Sequence, residues 1–424
     1  MKTILLFGAG KSATVLIKYL VKESEINNWK FIVADANREM ILAKTNNSKY
    51  AEAIQLDITN DIAREKLIQR AHVVISMMPP ALHFLIAKDC VEWRKHLLTA
   101  SYLDDQMKSL RDEINHRKLF FLCEMGLDPG IDHMSAMRII DSIKAKGGVI
   151  TSFRSHCGGL VAPESDNNPW HYKISWNPRN VVLAGNAGAV YKESGEEKQL
   201  PYQHLFDEAN KVLVEGLEEL AFYPNRDSLS YIPIYKLHEA ATFMRTTLRY
   251  PSFFVGWNAI VHAGLTDAST SIHTAGLSFK KWSEPVLPFV NDQNKSMLEF
   301  LGLFDEEPIP ATATSSADIL QHLLETKLAM QPTDKDMIVM LHEFVYELNG
   351  EHKQLQSSLV VKGEDNMHTA MAKTVGLPLG IAAKIILNGT LKLTGLHIPI
   401  LKEIYEPVLE ELEREHVVFK EKQF

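Results

Sequence analysis

The sequence predicts an α/β chain in two parts: an open, doubly wound parallel sheet, then an α+β domain with a mostly helical insertion. Three observations predict this. Over the first ~125 residues, short β-rich runs alternate with helical patterns, the signature of a parallel sheet covered on both faces. A glycine turn, Gly8-Ala9-Gly10, follows the first run and opens the first helix. After Gly126 the rhythm changes, at a Pro-Gly turn that leads into a long helical pattern and then mixed strands.

The strand candidates are Thr3–Phe7, Phe31–Asp35, Ala53–Asp57, Val73–Met78, Leu97–Ser101 and Leu119–Glu124. Most are continuous apolar runs, as strands buried on both faces require. Between them, residues such as Leu16, Ile17, Leu20 and Val21 fall on one helical face. Residues 1–126 are therefore expected to form the first domain and 127–385 the second, substrate-binding one. Residues 127–146 read as a helix. Residues 284–350 read as the helical insertion, ending in MIVMLHEFVYEL. A strand, QLQSSLVVKG, precedes a long apolar helix, TAMAKTVGLPLGIAAKIIL. The tail EPVLEELEREHVVFKEKQF (Glu406 to Phe424) is charged and reads as helical, and the segment 386–424 is expected to pack back on the first domain.

Bulk properties narrow the function. A chain of 424 residues is too long for one ordinary core. Its net charge of −8 argues against a general nucleic-acid binder, which needs a basic face. No apolar run reaches the ~20 residues of a membrane helix, so no membrane partner is expected. The apolar start, Ile4 to Phe7, reads as a strand entering a turn and not as a leader. Cys90, Cys123 and Cys157 are far apart and odd in number, with no disulfide or metal spacing, so a reducing cytoplasm is the expected compartment. The stripes Ile139, Ile140, Ile143 and Ile381, Ala382, Ile385 suit core or a subunit contact, and a homodimer is compatible with them.

Gly8-Ala9-Gly10-Lys11-Ser12-Ala13 is the G-x-G-x-x-A form of the Rossmann dinucleotide fingerprint. The first glycine permits the tight turn. The second lets a pyrophosphate approach the backbone, and the small third residue lets helix and strand pack closely. The helix start then offers free N–H groups to the phosphates. Asp35 ends the second strand, where an acid takes the adenosine ribose hydroxyls. That acid repels a 2′-phosphate, so NAD is the expected cofactor, with NADP kept open by Arg38. Lys11-Ser12 lacks the spacing of a P-loop.

Further blocks carry a resemblance. They are GLDPGIDH (Gly126 to His133), the stretch Ser155 to Gly185 beginning SHCGGL, FYPNRDS (Phe222 to Ser228), TTLRYP (Thr246 to Pro251) and DMIVMLHEF (Asp336 to Phe344); VVISMMPPALH followed by TASY also fits. On these the chain resembles the glutamate-forming saccharopine dehydrogenases (saccharopine reductases), from Gly8 to the C-terminal helix. The resemblance implies a reversible reaction: saccharopine, NAD(P)+ and water give glutamate, 2-aminoadipate 6-semialdehyde and NAD(P)H. It implies cofactor contacts at Gly10, Lys11, Ser12, Ala13, Asp35, Ala36, Asn37, Asp57, Ile58, Met78, Ala100, Ser101, Leu127, Asp128, Pro129 and Asn177. It implies substrate contacts at Ser101, Tyr102, Asp128, Arg226, Thr247, Leu248 and Arg249. Fungal members carry a non-acidic stretch where this chain has Asp35-Ala36-Asn37, so their cofactor choice is not carried over.

Chemistry supports the same residues. Saccharopine has three carboxylates, and arginine binds carboxylates bidentately. Taken singly, Arg226 or Arg249 reads as a surface or ion-paired arginine; the family match makes both substrate ligands. Hydride must leave a carbon bearing a neutral secondary amine, and protons must move during imine hydrolysis. The candidate catalytic residues are Asp128 for the amine proton, Tyr102 beside the reacting carbon, and Cys157 lining the nicotinamide pocket. Without the resemblance they read as a helix cap, a core ring and a small buried hydrophobe. His133, inside a helix start, His342, within an apolar helix or strand, and His156 and His171, which show no fixed partner in sequence, are discounted as proton carriers. No His/Asp spacing suits a metal. Two alternatives stay open: a sister imine-forming enzyme such as carboxynorspermidine dehydrogenase, and a non-catalytic NAD-binding protein.

Overall fold

Six short strands pair in parallel, as their apolar runs predict: β1 (Thr3–Phe7), β2 (Lys30–Asp35), β3 (Ala51–Gln55), β4 (Val73–Ser76), β5 (His96–Thr99) and β6 (Phe120–Leu122). They lie in the order β6-β5-β4-β1-β2-β3, and a late strand, Gly395–His397, adds beside β6 to make seven. The core strands β1 and β4 are buried at every position. The structure, a computed structural model, describes residues 1–424. It divides into two units: Met1–Ser142 with Met367–Val418, and Ile143–Asn366 with Phe419–Phe424.

This moves the expected boundaries. The helix Ile131–Ala145 belongs mostly to the first unit and not to a domain starting at 127, and so does the helix Ala370–Leu387, which was expected in the second. Small residues explain the latter. A Cβ on Gly376 would lie 2.9 Å from the Leu16 Cβ, and one on Gly380 would lie 2.7 Å from the Tyr19 ring, so only glycines let this helix sit against Thr14–Asn27. The helix is long and apolar enough to cross a membrane, yet most of it is buried inside this unit. Ile139, Ile140, Ile143, Ile381 and Ala382 are all buried in the protein itself.

The second unit is built on a ten-stranded mixed sheet. Its strands are β7 (Val149–Val161), β8 (Ala189–Glu193), β9 (Glu196–Leu200), β10 (Asn210–Val212), β11 (Leu220–Pro224), β12 (Arg226–Asp227), β13 (Thr242–Arg249), β14 (Asp336–Leu348) and β15 (Glu351–Lys362), with a C-terminal strand at Lys420–Gln423. The spine runs β10-β11-β13-β7-β14-β15 and then the C-terminal strand, with β13 and β7 parallel. The helices Phe279–Trp282, Lys295–Leu301 and Ser316–Lys327 enclose an aromatic core with Trp170, Phe253 and Trp257.

Two further expectations fail here. MIVMLHEFVYEL is not the end of the helical insertion but β14, paired with β7 on one side and β15 on the other. A long apolar run buried on both faces does not reveal its period, and two long partners decide it. The charged tail is helical only over Lys402–Arg414; its last residues pair with β15.

Candidate active site

The first unit places its candidates at the carboxyl ends of the parallel strands. Gly8 has φ +96°, and a Cβ there would meet the Met77 carbonyl oxygen at 2.9 Å, so the turn requires glycine. A Cβ on Gly10 would meet nothing within 4 Å: the space above it is open, as an approaching pyrophosphate requires. Lys11, Ser12 and Ala13 form the one-turn start of the helix, with Ala13 buried against the sheet. One Asp35 oxygen accepts the Ala9 N–H (2.7 Å) and the other the Asn37 N–H (2.9 Å), so this strand-end acid fixes the glycine turn. Asn37 caps the helix Arg38–Thr45 through the Met40 N–H, with Ala36 exposed between them. The residues that line this cradle fit a dinucleotide.

Sequence reasoning missed Lys44. Its ammonium donates to the carbonyls of Ala9 (2.7 Å) and Gly10 (2.6 Å), and burial pushes it down to about 8, partly opposed by Asp35. Only the helical return of Arg38–Thr45 brings it to the turn. Asp57 is exposed and accepts both the N–H and the hydroxyl of Thr59, which hold its carboxyl below the usual range. The carbonyl of buried Ile58 is held by Arg64. Met78, Ala100 and Ser101 stand half-buried beyond β4 and β5.

The GLDPG segment folds back on itself: the Gly126 N–H donates to the Pro129 carbonyl at 2.9 Å, with Leu127 and Asp128 between them. Gly130 has φ +146°, and a Cβ there would lie 2.0 Å from the Gly126 carbonyl oxygen, so no other residue fits. Asp132 accepts the Gly130 N–H at 2.6 Å. The Tyr102 hydroxyl donates to Asp128 Oδ1 at 3.0 Å, so these two candidates do meet. Beside them, Glu124 accepts the Leu103 N–H (3.0 Å) and pairs with His133 Nε2 (2.8 Å), both buried. Sequence reasoning discounts His133, the last residue of the family block, and does not weigh Glu124, two residues before that block.

In the second unit the register sorts the candidates by face. Cys157 and Thr247 are neighbours on β7 and β13, and Arg249 follows two residues on, so all three share one face of the sheet. Leu248 points the other way, into a core with Leu160, Val339 and Leu341. Its side chain therefore lies outside any substrate contact, which only its backbone can make. It also explains the CGG motif: a Cβ on Gly158 would lie 2.6 Å from the Leu248 Cβ. Arg249 is 4% exposed, over Tyr172 (5.2 Å) and Phe253 (5.3 Å). Its Nη1 donates to the Leu248 carbonyl, its buried Nε has no partner, and no carboxylate pairs with it. Arg226 is exposed with φ +51°, and Asn177 is exposed and caps the helix Pro178–Val182.

Two discounted histidines turn out to have fixed partners. His156 is fully buried, with Nδ1 2.7 Å from Thr246 Oγ1 and Nε2 3.1 Å from Glu343, and His171 pairs with Asp166 at 2.6 Å. The partners of His156 come from distant strands, so sequence could not show them; Asp166 lies only five residues before His171. The three cysteines are buried and form no disulfide.

The fold and the glycine cradle define a nicotinamide-dependent oxidoreductase. The chain belongs to the saccharopine dehydrogenase family: the family model "Saccharopine dehydrogenase C-terminal domain" matches residues 126–418, and "Saccharopine dehydrogenase NADP binding domain" matches residues 4–120. It is similar to saccharopine dehydrogenase [NADP(+), L-glutamate-forming] of Saccharomyces cerevisiae, 32% identical over 99% of each chain. It is also similar to the mitochondrial alpha-aminoadipic semialdehyde synthase of Mus musculus, 33% identical over 99% of this chain, which spans 47% of that protein's length. The structure of apo saccharopine dehydrogenase (L-Glu forming) from Saccharomyces cerevisiae matches over 100% of both chains, with a TM-score of 0.88 at 30% identity.

Proposed function

We propose that this chain is a glutamate-forming saccharopine dehydrogenase, oxidising saccharopine with a nicotinamide dinucleotide and water to glutamate and 2-aminoadipate 6-semialdehyde. The observation that carries this reading is Arg249: a buried guanidinium with an unpartnered Nε and no carboxylate of its own. An interior charge in that state calls for an external anion, and a substrate carboxylate supplies one with the matching planar fork. Arg226 offers a second guanidinium, and Thr247 a hydroxyl on the Arg249 face.

When bound, the nicotinamide supplies the hydride acceptor. The chain's own work is orientation and proton handling. Asp128, oriented by the Tyr102 hydroxyl, takes the proton that the substrate's secondary amine must lose before hydride departs. It is then placed to return a proton as water adds to the imine carbon and the carbinolamine opens. Cys157 contributes shape and no nucleophile, since no covalent step is required.

For the cofactor the reading is NAD. The family model and the yeast relative carry NADP in their names. What supports NAD is the acid Asp35 at the end of β2: a carboxylate beside the ribose repels a 2′-phosphate. Arg38 and Lys44 moderate the repulsion and leave NADP as the poorer substrate.

The test is direct. Purified protein with saccharopine is expected to reduce NAD+, followed by absorbance of the reduced nicotinamide, with glutamate and the semialdehyde as products. No turnover with either dinucleotide sinks the proposal; turnover of a carboxylated polyamine instead would move the chain to the sister activity.

A further inference from the structure

Behind Ser101 lies a histidine that the chemistry above does not use. His83 sits on the first turn of the helix Pro80–Glu92 and is 5% exposed. Its Nδ1 is 2.8 Å from the Ser76 hydroxyl, at the end of β4, and its Nε2 is 2.8 Å from the Ser101 hydroxyl, after β5. Burial pushes the imidazole down to about 4, with the charge of Asp104 only partly opposing. The ring is therefore neutral near pH 7, with one N–H and one lone pair.

The direction of the chain follows from Ser76. That residue is fully buried, and the His83 ring is the sole hydrogen-bond partner of its hydroxyl. Were Nδ1 protonated, the Ser76 proton would have no acceptor, a state native interiors avoid. So Ser76 donates to Nδ1, Nε2 carries the ring proton, and Nε2 donates to Ser101 Oγ. Ser101 is half-buried and its side chain makes no other hydrogen bond, so its own proton is left for a ligand.

We propose that Ser76, His83 and Ser101 form a one-way hydrogen-bond relay that makes Ser101 an obligate donor to an acceptor oxygen of the bound ligand, with His83 as the positioning residue. Two oxygens share that chemistry: a carboxylate oxygen of the amino-acid substrate and the amide carbonyl of the nicotinamide. The inference rests on Ser101 being a ligand contact, as proposed above.

Two measurements test it. In full-length protein, Ser101→Ala and His83→Phe are each expected to lower kcat/KM about tenfold, the worth of one oriented hydrogen bond to a polar acceptor. The double variant is expected to be no worse than Ser101→Ala, because His83 acts only through Ser101. His83→Gln keeps an N–H toward Ser101 and is expected to lie nearer wild type than His83→Phe. A loss seen in the KM for saccharopine assigns the acceptor to the substrate; a loss in dinucleotide affinity assigns it to the nicotinamide amide. Multiplicative losses in the double variant, or a Ser101→Ala variant with both constants unchanged, overturn the relay. The second measurement is independent of turnover, so it still decides if the oxidoreductase reading fails or His83→Phe does not fold. Nitrogen NMR of histidine-labelled wild type is expected to show His83 protonated on Nε2 and bare on Nδ1 at about pH 7. The opposite tautomer overturns the relay.

Discussion

Arg249 gives a prediction in which function and stability move apart. With Arg249 as the proposed carboxylate ligand, the Arg249→Met variant deprives the substrate of a bidentate, charge-assisted pair. Two such bonds at about 1.5 kcal/mol each sum to about 3 kcal/mol, so the KM for saccharopine is expected to rise on the order of 10²-fold. The free protein has less to lose. The buried Nε has no partner, a state that costs about 1–3 kcal/mol, and Met removes that cost. Against it stands the loss of the guanidinium over Tyr172 and Phe253, at 5.2 and 5.3 Å, together worth about 1–2 kcal/mol. These terms nearly cancel, and Tm is expected to shift by no more than about 4 °C in either direction. Steady-state kinetics with a thermal melt on the same preparation checks both halves. A variant with unchanged KM and a steep fall in Tm would show that Arg249 is a structural cation, and the substrate assignment would lose its main support.

Gly8→Ala forces a Cβ onto the Met77 carbonyl at a left-handed φ of +96°; it is expected to cost about 1–3 kcal/mol and to abolish measurable dinucleotide binding by fluorescence titration, and normal binding would refute the role of the turn. Asp35→Ala with Ala36→Arg is expected to move the kcat/KM ratio toward NADP+ and, since Asp35 also holds the Ala9 N–H, to weaken both dinucleotides; an unchanged ratio means Asp35 does not read the ribose. His83 titrates at about 4 when folded against an ordinary 6.5, so the unfolded chain binds the extra proton between those values. Its contribution is complete above about pH 6.5 and falls by up to about 3 kcal/mol as pH drops toward 4. Denaturant melts of wild type and His83→Gln are expected to converge over that window, and parallel curves would contradict a buried neutral ring.

Much of the first unit was legible because its requirements are local. Gly8 and Gly130 sit where a side chain would strike backbone two to three ångströms away, so their identity announces the turn before any fold is known. Asp35 is legible as a candidate for a similar reason, since it ends the strand beside the glycine turn, whereas its hold on the Ala9 N–H is visible only in the fold. The second unit was less legible. Leu248 and Arg249 are adjacent in a family block, yet only the pairing of β13 with β7 and β11 shows that one enters the core and the other lies on the opposite face with Cys157 and Thr247. The pairing of β7 with β13 on one side and β14 on the other supplied the partners of His156, and a helix returning beside the turn supplied Lys44.

The sequence by itself determined the nucleotide cradle, the family and the residue types of the chemistry, because steric limits on a turn and the charge of a carboxylate act over a few bonds. Tertiary structure decided that β14 is a strand, that Ala370–Leu387 belongs with the first sheet, and that His83 is wired to Ser101. Those outcomes depend on which distant segments meet, and burial sets both the protonation of a ring and the isolation of a guanidinium only after they have met.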